Sequence, residues 1–171
     1  MGTACEPHAS SVGAVSSPAT TGGPNQGLLG DYYRGINFES LVATHVDPLI
    51  DFLPPKMATL AEQRTGSPHF FSVRWHGQLR ARSSAMYTIG ITVTGGAHVV
   101  LNGQDLTSPC CDPARRSSFL VYAGASLQEG RWYDITLEHQ QTDGPSGIQL
   151  WSNLPSETRA PIPHEDLRHF R

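Results

Sequence analysis

The sequence predicts an all-β domain, an antiparallel β-sandwich of the lectin-like jelly-roll kind, carried behind a flexible N-terminal tail. Three observations predict it. Apolar and polar residues alternate with a period of two in run after run from residue 27 onward. Glycine, proline and Asn/Asp-Gly breakers separate the runs, and only one stretch, about 55–64, has helical character. Many short strands with turns between them and almost no helix exclude a parallel doubly wound fold and favour two packed sheets.

Taken in chain order, strands are expected at 28–33 and 49–52, followed by the helical stretch. At 71–76, Phe71, Val73 and Trp75 share one face against Ser72, Arg74 and His76. Tyr87, Ile89, Ile91 and Val93 share a face against Thr88, Gly90 and Thr92, and further strands are expected at 98–101 and 119–122. Tyr133, Ile135 and Leu137 stand opposite Asp134, Thr136 and Glu138, and Ile148 and Leu150 opposite Gln149 and Trp151. The breakers are Gly95-Gly96, Asn102-Gly103, Gly124, Gly130 and Asp143-Gly144-Pro145.

Composition sets the boundaries. Of the first 26 residues, 18 are Ser, Thr, Gly, Pro or Ala, and none is aromatic, Leu or Ile, so this stretch cannot build a core. It is expected to be a low-complexity tail or linker, with the domain spanning 27–171. Only 16% of the 171 residues are charged, the net charge is -3, and the twelve basic residues are scattered, which argues against a nucleic-acid groove. No apolar run approaches the ~18 residues of a membrane span, and Met1 is not followed by the basic segment and apolar core of a signal peptide.

The order of particular segments resembles a known family. Gly27-Leu28-Leu29-Gly30-Asp31-Tyr32-Tyr33 opens the domain; Phe71-Ser72-Val73-Arg74-Trp75-His76-Gly77, Tyr87-Thr88-Ile89 and Val99-Val100-Leu101-Asn102-Gly103 follow. Gly130-Arg131-Trp132-Tyr133-Asp134-Ile135 and Ile148-Gln149-Leu150-Trp151-Ser152 close the series. This is similar to the 14-kDa domain of anthrax protective antigen, shared by yeast flocculins, adhesins and some glycosidases. The resemblance implies a β-sandwich that binds carbohydrate or serves as an interaction module, and it does not imply an enzyme. In the sugar-binding adhesins of that family two adjacent aspartates hold a calcium ion. Here the corresponding loop reads Val93-Thr94-Gly95-Gly96-Ala97, so the carboxylates that would compensate Ca²⁺ dehydration are missing and no calcium site is carried over.

The ligand candidates are Asp105, Asp112 and Arg115 in the long polar connection 102–117, Gln141 and Asp143 before the last long strand, and the aromatic side chains Trp132 and Trp151. Arg116 lies in the same connection. Trp75 continues the Phe71–Val73 face and reads as core. Eight histidines show no metal-binding spacing, and no GxSxG, P-loop or dinucleotide motif is present, so no catalytic residue, metal site or cofactor is expected.

Cys5, Cys110 and Cys111 are the disulfide candidates. The last two are adjacent, with Cα atoms ~3.8 Å apart against the ~4.4–6.8 Å of ordinary disulfides, so Cys5 is the less strained partner for either. Cys5 also admits a lipid-anchor reading, although the apolar stretch that should precede it is absent. Both readings place the protein outside the cytoplasm, at the cell surface or beyond. Two functions follow: a calcium-independent module binding a glycan or cell-surface polysaccharide, or a structural subunit that self-associates through residues 1–26, with Val12 and Ala14 alternating beside a sheet edge.

Overall fold

The computed structural model describes the backbone of residues 8–10 together with residues 25–107 and 112–170. Cys5, Cys110 and Cys111, with Val12 and Ala14, lie outside the described residues. The period-two runs become long strands, bridged by short ones. In order these are β1 (His8–Ser10), β2 (Leu28–Arg34), β3 (Ser40–Asp47), β4 (Asp51–Phe52), helix α1 (Lys56–Thr65), β5 (Phe71–Arg80), β6 (Ala85–Thr94) and β7 (Gly96–Leu101). Then follow β8 (Gln104–Asp105), β9 (Phe119–Leu127), β10 (Trp132–Gln141), β11 (Gly147–Asn153), β12 (Ala160–Pro161), a single 3₁₀ turn (His164–Asp166) and β13 (Leu167–Arg168).

They form two sheets. One runs β1-β9-β6-β11-β12 with β4 also on β11; the other runs β3-β2-β5-β10-β7-β8 with β13 on β5. Among the described strands every pairing is antiparallel except that of β1, whose His8–Ser10 lies parallel to Ala123–Ala125 of β9. The expected β-sandwich is the fold observed. The inward faces are those read from periodicity: Phe71, Val73 and Trp75 of β5 and Tyr133, Ile135 and Leu137 of β10 pack against Ile89, Ile91 and Val93 of β6 and Ile148 and Leu150 of β11, all buried. At ~25 cal/mol per Å² of apolar surface removed from water, each such side chain contributes about 1.5–3 kcal/mol before entropy is set against it. Helix α1 seats Met57 and Ala61, four residues apart and therefore on one face, against the core.

Four expectations about elements need correction. Strand β3 was not anticipated, because five of its first six residues are exposed and it shows no apolar alternation; backbone pairing to β2 makes it a strand. The strand expected at 49–52 contracts to Asp51–Phe52. Gly124 does not break β9, which continues through it to Leu127 because its partner Thr88 of β6 supplies the ladder. Gln141 is the last residue of β10 rather than a loop residue.

A buried carboxylate fastens the β3 edge to the core. Asp47 is 3% exposed, and its Oδ2 accepts hydrogen bonds from the Tyr32 hydroxyl at 2.5 Å and from Trp75 Nε1 at 2.7 Å. Arg64 of α1 approaches Oδ1 at 3.9 Å. Burial, and then the Asp47 charge, raise the Tyr32 hydroxyl above its ordinary pKa, so it stays a donor at every physiological pH.

Candidate functional site

Three connections gather at one end of the sandwich: the β6–β7 turn, residues 112–118 ahead of β9, and residues 142–146 between β10 and β11. Specific bonds hold them together. Thr94 Oγ1 and Ser118 Oγ lie 2.7 Å apart, and the Thr142 amide donates to the Pro113 carbonyl at 3.3 Å. Arg116 Nη2 donates to Asp143 Oδ2 at 3.0 Å, with both side chains about three-fifths exposed. Asp112 is exposed and shapes its own turn, its Oδ1 accepting the Ala114 amide at 2.8 Å. The Arg115 guanidinium lies 4.2 Å from the Phe119 ring centroid. The rim therefore presents carboxylates and guanidinium groups on mutually braced loops.

Beneath the rim the inward face of β10 turns polar. His139 and Gln141 extend the face of Tyr133, Ile135 and Leu137, and both are fully buried. His139 Nδ1 lies 2.8 Å from the Gly96 carbonyl, which requires the proton on Nδ1 and leaves Nε2 a bare acceptor. Burial lowers the His139 pKa to about 4, the Gly96 bond opposing it, so the ring is neutral. Gln141 Nε2 donates to the Asp143 carbonyl at 3.0 Å, and its Oε1 lies against Gly95, where any Cβ would collide with it; Gly95 also has φ +105°. Ser146 is buried next to Gly147, the register partner of Thr94. His139 Nε2, Gln141 Oε1 and Ser146 Oγ have no hydrogen-bond partner, an arrangement that calls for a bound water or a ligand group.

Of the seven ligand candidates, Asp112, Arg115, Gln141 and Asp143 are brought together here, and three are not. Asp105 lies on β8, on the outer face of the sheet that contains β10, 2.9 Å from His98 Nε2. Trp132 sits at the far end of β10, half-buried between Arg80 and Arg168, whose guanidinium carbons stand 5.5 and 4.1 Å from its ring centroid. Trp151 is not an open platform. It is 3% exposed, crosses Gly90 so closely that a Cβ there would stand 2.6 Å from the ring, and carries Arg159 5.3 Å from its centroid. Sequence reading missed His139 as a rim component and Ser146 altogether; the signal available for His139 was the unbroken period of two running past Leu137.

A charged row crosses the outer face of the β3-to-β8 sheet. Thr44, Asp31, Arg74, Glu138 and His98 are successive register partners on five strands. Thr44 Oγ1 donates to Asp31 at 2.7 Å, Arg74 Nε donates to Glu138 at 2.7 Å, and His98 stands between Glu138 at 3.4 Å and Asp105. Among the described residues no group of three His, Cys, Asp or Glu is placed to hold a metal ion.

The fold is an antiparallel β-sandwich with three mutually braced polar loops at one end. Residues 24–166 match the PA14 domain, and the chain belongs to that family. It is 27% identical over 146 residues to the anti-sigma-I factor RsgI3 of Acetivibrio thermocellus, a match covering 85% of this chain and 22% of that protein. Its structure is similar to that of an anti-sigma factor domain-containing protein, with TM-score 0.74 and 25% identity over 87% of this chain and 49% of the other. The chain thus spans less than half the length of either relative. In fold it is also similar to the PA14 sugar-binding domain from an RTX adhesin, with TM-score 0.65 and 14% identity, covering 85% of this chain and 99% of that one. No helix among the described residues is long and apolar enough to cross a membrane.

Proposed function

We propose that residues 27–171 form a non-catalytic carbohydrate-binding or adhesion module that takes a glycan at the loop rim without calcium, outside the cytoplasm. The observation that carries this reading is the exposed Arg116–Asp143 pair, braced by Gln141 from below, next to three buried polar atoms that lack partners. Sugar hydroxyls both donate and accept, which suits a rim of carboxylate and guanidinium groups above an imidazole acceptor and an amide oxygen. Membership of the PA14 family, and the sugar-binding domain among the structures of like fold, support the ligand class. Thr94 and Gly95 bring no carboxylate, which supports independence from calcium.

A glycan array probed with the full chain, in calcium and in chelator, tests the proposal. Equal binding in both is expected, with at least a tenfold loss in Arg116→Ala and Asp143→Ala. These substitutions should leave the melting temperature nearly unchanged, because an ion pair this exposed is worth about 0–1 kcal/mol. Binding abolished by chelator, or indifferent to both substitutions, refutes it.

A second reading is favoured by the pairing of His8–Ser10 with the edge strand β9. The same three-residue pairing made between chains would join copies through residues 1–26, as a structural subunit requires. Deleting residues 1–26 separates the readings: glycan binding is retained if the rim is the site, and a larger assembly collapses to monomer if the tail joins copies.

A further inference from the structure

At the end of the sandwich opposite the loop rim, the two sheets part around a cleft of about 280 Å³. That is the space of about nine waters at ~30 Å³ each, room enough to admit one six-membered sugar ring. We infer that this cleft is a second, separate binding site for a single neutral pyranose ring; the ligand class rests on the carbohydrate reading above, while the site does not involve the rim.

The floor of the cleft is apolar core. Leu79, Ile89, Leu127 and Ile162, all buried, supply it. Ser152 is the informative wall residue. It follows Ile148 and Leu150 on the inward face of β11 and pairs with Ile89, a place where a closed sandwich would carry another aliphatic side chain. Its hydroxyl makes no hydrogen bond among the described residues, and neither do the side chains of Thr158 and Glu157 at the lip. An apolar patch bordered by hydroxyls and a carboxylate without partners is the arrangement that receives a sugar, whose C–H face packs on the floor while its hydroxyls meet the border.

Charge selects the neutral class. Arg80 and Arg82 line the cleft, but both are committed to the buried Asp166. Arg80 donates to Oδ1 at 3.0 Å through Nη2, Arg82 Nε donates to Oδ2, and Arg82 Nη2 also reaches Glu165 at 2.8 Å. With Glu157 at the lip, the lining carries two positive and two negative groups, so an anion gains nothing there. The paired guanidinium groups are held rigid by the carboxylate, leaving N–H bonds as oriented donors. Asn153 Nδ2 braces the lip by donating to the Leu154 and Glu157 carbonyls at 3.3 and 3.4 Å.

The experiment follows backbone amide resonances of the full chain while methyl glycosides of glucose, galactose and xylose are added to tens of millimolar. At least one should shift the amides of Ser152, Asn153 and Ile162 with millimolar affinity, leaving those of Gly95, Arg116 and Asp143 in place. Ser152→Phe fills the cleft and should weaken those shifts at least tenfold. The lip variant Glu157→Gln with Thr158→Ala touches only exposed side chains and should weaken them several-fold even if Ser152→Phe does not fold. Rim shifts with longer glycans, but none in the cleft with any of the three glycosides, overturn the cleft and leave the rim proposal standing. No shifts anywhere overturn both. Glucuronate binding tenfold tighter than the glucoside overturns the neutral class, and cleft shifts that survive both variants overturn the location.

Discussion

Replacing Asp47 with alanine tests whether one buried carboxylate ties an exposed edge strand to the core. The substitution removes the acceptor shared by Tyr32 at 2.5 Å and Trp75 at 2.7 Å, and both donors are fully buried. Each buried donor left without a partner costs about 1–3 kcal/mol, so the pair should cost about 2–6 kcal/mol, with Arg64 losing its neighbouring charge as well. Against a total stability of about 5–15 kcal/mol for an ordinary domain this is a large fraction. For a chain of this size it corresponds to a fall in melting temperature on the order of 10 °C. Urea denaturation with linear extrapolation measures it, and Tyr32→Phe supplies the control. With the phenolic hydroxyl gone, Asp47→Ala strands one donor instead of two, so the double mutant should lose at least ~1 kcal/mol less than the sum of the singles. A loss below ~1 kcal/mol in Asp47→Ala, or strict additivity, would refute the hub.

Two further predictions concern histidines with opposite signs. Burial lowers His139 to about 4, so its contribution is complete above the unfolded value near ~6.5 and is lost as pH falls through 4; the domain should lose about 3 kcal/mol over that interval, and His139→Asn should flatten the dependence in denaturation runs at pH 7 and pH 4. Burial also pulls on His98, but the hydrogen bonds and charges of Asp105 and Glu138 outweigh it and raise its pKa, so its contribution is complete below ~6.5 and lost as pH rises through the folded value. An imidazole titration followed by NMR should place the His98 midpoint above ~6.5, and Asp105→Asn should lower it; a midpoint at or below ~6.5 would contradict the Asp105–His98–Glu138 geometry.

The sandwich was legible because its signal is local. Ile89, Ile91 and Val93 show their inward face in a window of five residues, and the same holds for Phe71, Val73 and Trp75. Strand β3 was illegible for the converse reason: an edge strand with Leu41 and Val42 exposed carries no alternation, and only the β2 backbone beside it makes it a strand. Trp151 shows the same limit in a side chain. Period two correctly set it on the face opposite Ile148 and Leu150, yet its burial depends on Gly90 of β6 and on Arg159, eight residues further along the chain.

By itself the sequence determined the strand faces, the core and the loops that carry polar residues, since each is a matter of spacing within a few residues. It marked Asp112, Gln141 and Asp143, but nothing in it joins Arg116 to Asp143 or sets His139 and Ser146 beneath them. Register decided the rest. Asp31, Arg74, Glu138 and His98 each occupy an ordinary polar position on its own strand, and only the pairing of β2, β5, β10 and β7 lines them up in one row. The cleft behind Ser152 likewise exists only where β11, β6 and the chain near Ile162 meet. Periodicity states which way a side chain faces; which partner it finds there is fixed by contacts between segments tens of residues apart, and the energy of those contacts has no local trace.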